Sequence, residues 1–259
     1  MTPRIVDLSV AIENGVASDP PQMLPSITYL AHDETAAQVA AMFPGLSPSQ
    51  LPDGKGWAVE DLRISTHNGT HLDAPWHYHP TMDGGARAIT IDEVPLDWCY
   101  RPGVKLDLRH IPDGHVITAA EMAQAMAATG HALAPFDIVL VNTAAGAAYG
   151  QADYLSRGCG IGREATLWLL ERGVRVTGTD GWSWDAPFGH TARRFAQTGD
   201  ASLIWEGHKA GRERGYCHIE KLHNLEALPP AGFRVACFPV KVARASAGWC
   251  RAVAIFDEA

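Results

Sequence analysis

The 259-residue sequence contains no apolar run approaching the ~18 residues of a membrane-spanning helix, which excludes a helical membrane anchor within it. It has no excess of basic charge: 21 Lys and Arg stand against 29 Asp and Glu, a formal net charge of -8. A general nucleic-acid binder needs a basic face to meet phosphates, so that function class is not expected. Cysteine is sparse and unpaired in pattern. Cys99, Cys159, Cys217, Cys237 and Cys250 are scattered, odd in number and form no Cys-x-x-Cys, which argues for reduced thiols over a disulfide framework or zinc knuckle. The opening Met1-Thr2-Pro3-Arg4-Ile5-Val6-Asp7 lacks the apolar core of a secretory signal, so a cytoplasmic location is expected. No Gly-x-Ser-x-Gly elbow is present, which disfavours a serine triad. Gly158-Cys159-Gly160-Ile161-Gly162 lacks the preceding strand and spacing of a dinucleotide loop.

Repeats, charge blocks and low-complexity linkers are absent too, and 46% hydrophobic with 19% charged residues is globular composition. The length suits one large domain. Partial alternation over residues 4–9 predicts an N-terminal strand, and residues 17–56 predict an irregular, Pro- and Gly-rich excursion with a short helix from Glu34 to Met42. Further strands are predicted over Val59–Ser65, Ala88–Ile91, Val104–Leu108, Asp137–Asn142, Val174–Thr179, Phe233–Val242 and Ala252–Phe256. Thr118 with Glu121 three residues on forms a capping box that opens a helix to about Thr129, where Gly130 stops it. A second helix is predicted from Gly162 to Arg172, with Gly173 at its end. Irregular alternation of strands and helices indicates a mixed α/β domain, not a clean doubly wound sheet.

Histidine is the residue in surplus. Of twelve, four (His67, His71, His77 and His79) fall between Thr66 and Pro80. His67, His71, Asp73 and His77 are spaced 4, 2 and 4 residues apart, and Gly69 within and Pro75 after argue for a loop that folds back. Two imidazoles and one carboxylate converging there suit Zn²⁺ or Mn²⁺ and leave coordination positions open, as catalytic sites require. Gly69 permits the close backbone path, and Pro75 stiffens the exit and directs His77.

His67-x-Gly69-Thr70-His71-x-Asp73-Ala74-Pro75-x-His77 resembles the signature of the cyclase-like metal hydrolases, the family of bacterial kynurenine formamidase and isatin hydrolase. Similarity extends to Ile5–Ser9, to Asp137–Thr143, to Gly173–Asp185 and to Glu220-Lys221-Leu222-His223-Asn224-Leu225. The resemblance implies a single mixed α/β domain of the swivelling β/β/α type and at least a homodimer. It implies that His67, His71 and Asp73 hold one Mn²⁺ or Zn²⁺, that Asp73 bridges to a second cation held by His208 and Glu220, and that His77 is the general acid/base. One or two cations per subunit are compatible with it, and His218 and His223 compete with His208. The implied reaction is hydrolysis of a cyclic amide, or of a related amide or lactone, by metal-activated water. Arylformamide hydrolysis and a metal-dependent cyclase or dehydratase reaction are the alternatives.

Aromatic residues suggest the substrate. Trp76 lies inside the metal motif, Trp182 and Trp184 share a face if their segment is extended, and Trp57 lies in the N-terminal excursion; together they predict a wall for a small aromatic or cyclic substrate. Trp168, Trp205 and Trp249 read as core. Residues 186–217 read as an inserted lid, and Arg193 and Arg194 within it offer charge to a carboxylate.

Overall fold

The computed structural model describes residues 3–256. Its centre is a nine-stranded mixed sheet: β1 (Arg4–Asp7), β2 (His71–Asp73), β3 (Tyr100–Asp107), β4 (Ile138–Asn142), β5 (Val176–Thr179), β6 (Cys217–Glu220), β7 (Phe233–Ala236), β8 (Ala247–Trp249) and β9 (Val253–Phe256). The spatial order is β1-β9-β7-β3-β4-β5-β6-β2-β8. Strands β3 to β6 run parallel and are flanked on both sides by antiparallel pairs. β4 and β5 are buried along their whole length, the pattern expected when a parallel sheet is covered on both faces.

The pleat divides the core. Ile138, Leu140, Leu72 and Ile219 pack in one apolar cluster, while Val139, Val141, Tyr78, Trp184 and Tyr216 belong to another. The second cluster takes in α3 (Ala119–Ala128) and α4 (Arg163–Glu171) through Met122, Met126, Leu169 and Leu170. Both helix signatures hold. Thr118 Oγ1 accepts the Glu121 amide while Glu121 accepts the Thr118 amide, and Gly173 follows α4 at φ +91, a left-handed turn that closes the helix.

Several predicted strands take other forms. Over 88–91 there is no strand; Thr90 caps a 3-10 turn, Ile91–Glu93, with its amide and hydroxyl donating to Glu93. The strand predicted to Val242 ends at Ala236, ahead of Pro239, which has no amide to donate to a ladder. Val59–Arg63 is a strand, but it pairs only with Ser26–Leu30 and all five residues are exposed. The helix of the excursion, α1, spans His32–Ala41. Between β5 and β6 the chain forms α5 (Phe188–Thr198) and the short α6 (Glu206–Ala210) within the 186–217 segment.

Candidate metal-binding active site

The histidine motif does not form a loop throughout. Asn68 and Gly69 turn the chain, and His71–Asp73 is then an interior strand, paired with β6 on one side and β8 on the other. A three-residue strand rich in donors carries no hydrophobic alternation, so its partners are what make it a strand. At Gly69 φ is +60 and a Cβ would lie 2.5 Å from Ile12 Cγ1, so a side chain there meets both strain and a clash. Pro75 opens a single helical turn, α2 (Pro75–Tyr78), at the position where its missing amide costs nothing, and this turn carries His77 back over the strand.

Strand register assembles the rest. His218 lies opposite Asp73, and Glu220 lies opposite His71. Side chains two apart on a strand share a face, so these four point together to the helix-covered side. His218 Nε2 is 3.1 Å from both Asp73 Oδ2 and Glu220 Oε1. His71 Nε2 is 3.4 Å from Asp73 Oδ1 and 3.5 Å from Glu220 Oε2. His67 Nδ1 is 3.0 Å from Asp73 Oδ1, and His77 Nε2 is 3.7 Å from Asp73 Oδ2. His208, from α6, places Nε2 3.8 Å from Glu220 Oε1. Donor atoms of Asp73, His208, His218 and Glu220 all lie within 4.8 Å of one another, as do those of His67, Asp73 and His77.

Outer partners orient the imidazoles. His71 Nδ1 donates to the Gly69 carbonyl at 2.9 Å, His208 Nδ1 donates to the Asp185 carboxylate, and His67 Nε2 bonds the Ser246 hydroxyl at 3.1 Å. In each case the other ring nitrogen faces the cluster, the arrangement typical of metal-ligating histidine. Both Asp73 oxygens and His71 Nε2 are buried without a hydrogen-bond donor. Buried acceptors left unpartnered are costly, and a divalent cation is the partner this oxygen and nitrogen set fits.

Electrostatics agree. Burial opposes the Asp73 charge, yet the imidazoles of His77, His71 and His67 hold its carboxyl well below the usual range. Burial likewise pulls His218 down, but the carboxylates of Asp73 and Glu220 beside it outweigh this and raise it to about 9. His77 differs: burial, with His67 and His208 beside it, lowers it to about 4 despite Asp73. Its ring makes no hydrogen bond among the described residues and faces a cavity of about 310 Å³.

That cavity is walled by Trp182, Phe188 and Trp205, with Asp19 and Met23 from the N-terminal excursion. Of the tryptophans predicted for the wall, Trp182 is in place. Trp184 is buried in the core, where its indole donates to Thr166 Oγ1 at 3.0 Å and stacks near His218. Trp57 and Trp76 are 42% and 41% exposed and do not line the cavity. Trp205, read from sequence as core, is a cavity residue. It lies parallel to His208 with ring centroids 4.8 Å apart, and its backbone is left-handed at φ 58, a conformation costing about 1 kcal/mol in a residue with a Cβ.

Sequence reading ranked His218 below His208; both are in the cluster. The signal was the alternation His218-Ile219-Glu220, which places the two polar side chains on one face. His223 lies outside. Asp19 carried no local signal, and Asp185 and Lys221 fall inside segments similar to the family with no role implied for either. Lys221 is buried, with Nζ paired to Asp19 Oδ1 and donating to the His67 carbonyl at 2.9 Å. Asp19 also accepts from Trp182 Nε1 at 3.0 Å and Asn68 Nδ2 at 3.1 Å, fastening the excursion to the histidine turn.

Residues 6–186 match the model of the Cyclase family, described as "Putative cyclase". This chain belongs to that family. Within the cyclase family it is 30% identical over 205 residues to kynurenine formamidase of Paracidovorax citrulli (strain AAC00-1), covering 75% of this chain and 78% of that one. Among solved structures, an isatin hydrolase bound to the product analogue thioisatinate superimposes with a TM-score of 0.76 at 18% identity, covering 99% of this chain and 93% of that chain. Isatin hydrolase A from Labrenzia aggregata, bound to benzyl benzoate, gives 0.74 at 23% identity, covering 99% and 94%. These structures share the mixed α/β single-domain fold. His208, His218 and Glu220 lie beyond the residues that the family model matches.

Proposed function

We propose that this cyclase-family chain is a metal-dependent amidohydrolase that opens a cyclic amide of the isatin type, or cleaves a related amide or lactone. The carrying observation is the buried Asp73, both oxygens without a donor, ringed by imidazoles at the floor of an aromatic cavity. His67, His71, Asp73, His208, His218 and Glu220 would hold one or two Mn²⁺ or Zn²⁺ ions. A bound divalent cation lowers the pKa of water and polarises a carbonyl.

The chain's own residues do the remainder. Trp182, Phe188 and Trp205 receive a flat ring and exclude bulk water from the reacting carbonyl. His77, unpartnered and facing the cavity, takes the proton released as water adds and returns it to the departing nitrogen or oxygen. Helix α5 and the turn at Ile204–Trp205 form the lid side of the cavity. Cleavage of N-formylkynurenine is the second reading, supported by the kynurenine formamidase relative at 30% identity.

We also propose a homodimer. The Ser26–Leu30 and Val59–Arg63 arm exposes Tyr29 and Leu62, and Trp57 is exposed just before it, an apolar set that a second subunit would cover. Sedimentation of the wild type and of a Tyr29→Lys, Leu62→Lys double variant checks this, with a shift from dimer toward monomer expected.

Turnover of isatin, N-formylkynurenine, cyclic imides and small lactones, assayed with Mn²⁺ and with Zn²⁺ alongside metal analysis, tests the assignment. Hydrolysis of isatin with a bound cation is expected. Release of a dehydrated or cyclised product without net hydrolysis would replace the assignment with a cyclase or dehydratase.

A further inference from the structure

Beside the catalytic cavity lies a second hollow of about 250 Å³, formed by Ala186, Thr191, Ala192, Phe195 and Ile204. Phe188 and Trp205 line both spaces, so the two are neighbours across an aromatic partition. The hollow is apolar. The one carboxylate on its wall, Asp185, is occupied by the Gly207 and His208 amides, at 2.7 and 3.1 Å, and by the His208 ring. Helix α5 supplies Phe188, Ala192 and Phe195 at i, i+4 and i+7, one helical stripe. No residue of that helix is buried: Phe188 and Phe195 are 44% and 39% exposed, and Ile204, beyond the helix, is 43% exposed. An apolar stripe aimed into a concavity and left uncovered by its own fold marks a binding surface.

Resting on the hydrolase reading, we propose that this hollow is an annexe of the active site that takes an apolar substituent carried by the substrate, so that the preferred substrates are aryl or cyclic amides bearing a short alkyl or second ring. Size supports this occupant. A cavity of about 150 Å³ admits a benzene ring. A protein partner needs roughly 800 Å² of surface on each side, more than this concavity presents.

The test compares isatin with 5-butylisatin and formanilide with 4-butylformanilide, in the wild type, in Ala192→Phe, which fills the annexe, and in Phe195→Ala, which widens it. For the wild type, kcat/KM is expected to be at least about tenfold higher for the butyl compound of one or both pairs, the scale of discrimination that an apolar pocket achieves. Ala192→Phe is expected to erase that ratio and Phe195→Ala to preserve it. Equal kcat/KM within both pairs, or an unchanged ratio in Ala192→Phe, overturns the annexe while leaving the hydrolase assignment standing. If none of these four compounds is turned over, calorimetric binding of 4-butylphenol still decides the annexe. At least tenfold weaker binding to Ala192→Phe supports it, and equal affinity overturns it. A change of oligomeric state in Ala192→Phe, with the substrate ratio intact, assigns the face to a second copy of the chain and also overturns the proposal.

Discussion

At the scale of single residues, the acid–imidazole cluster distributes its tasks by what each ring nitrogen already touches. His67, His71 and His208 have an outer partner and turn their inner nitrogen to the carboxylates, whereas His77 has no outer tie. His77→Ala is therefore expected to lower kcat by about 10² to 10⁴ while bound metal per chain stays unchanged. Parallel kinetics and elemental analysis check this, and loss of metal would recast His77 as a ligand. Lys221 supports the site from behind, through Asp19 and the His67 carbonyl. Its removal in Lys221→Met leaves the buried Asp19 carboxyl without its cation partner, so a loss of about 3–5 kcal/mol in denaturant unfolding is expected. Neither Lys221 nor Asp19 was legible in the sequence, because 202 residues separate them and each looks like an ordinary surface charge.

At the scale of elements, adjacent parallel strands are fastened at their ends. Asp180, following β5, accepts from the Thr143 amide at 2.9 and 3.0 Å and from the Thr143 hydroxyl at 2.6 Å, just past the end of β4. Burial raises its carboxyl from 3.8 to about 7, against the pull of those donors. A raised carboxyl binds its proton more tightly in the folded chain. Its contribution is present in full below pH 3.8 and is lost as pH rises through about 7, a ceiling of about 4 kcal/mol. Between pH 5 and 8 the wild type is expected to lose more unfolding free energy than Asp180→Asn; equal slopes would place the group's folded pKa near its ordinary value. Element positions followed the sequence wherever a cap, a glycine stop or a continuous apolar run marked them, as in α3, α4 and β4. The strand expected over 59–65 forms at 59–63, with a pairing the sequence did not specify, and the element positions departed from the sequence at 88–91, where the Thr90–Glu93 cap makes a turn.

At the scale of the molecule, a cation bound only by the native cluster would join β2, β6 and α6, elements far apart in the chain. Removal by a chelator is expected to abolish turnover and lower Tm. Restoring Mn²⁺ or Zn²⁺ to about 100 times its Kd should return about 2.7 kcal/mol of stability, and thermal scans across a metal titration measure it. A Tm indifferent to metal would overturn cation binding at this cluster.

The sequence by itself determined the donor types and the local path that presents them: His67, His71, Asp73 and His77 within eleven residues, with Gly69 and Pro75 setting the turns. These are short-range effects of sterics and spacing, readable in a single segment. The tertiary structure alone decided that His218 and Glu220 stand opposite Asp73 and His71, that Trp205 faces the cavity, and that Trp184 does not. A strand's own residues specify which side chains share a face, but its partner and register come from packing with segments distant in the chain.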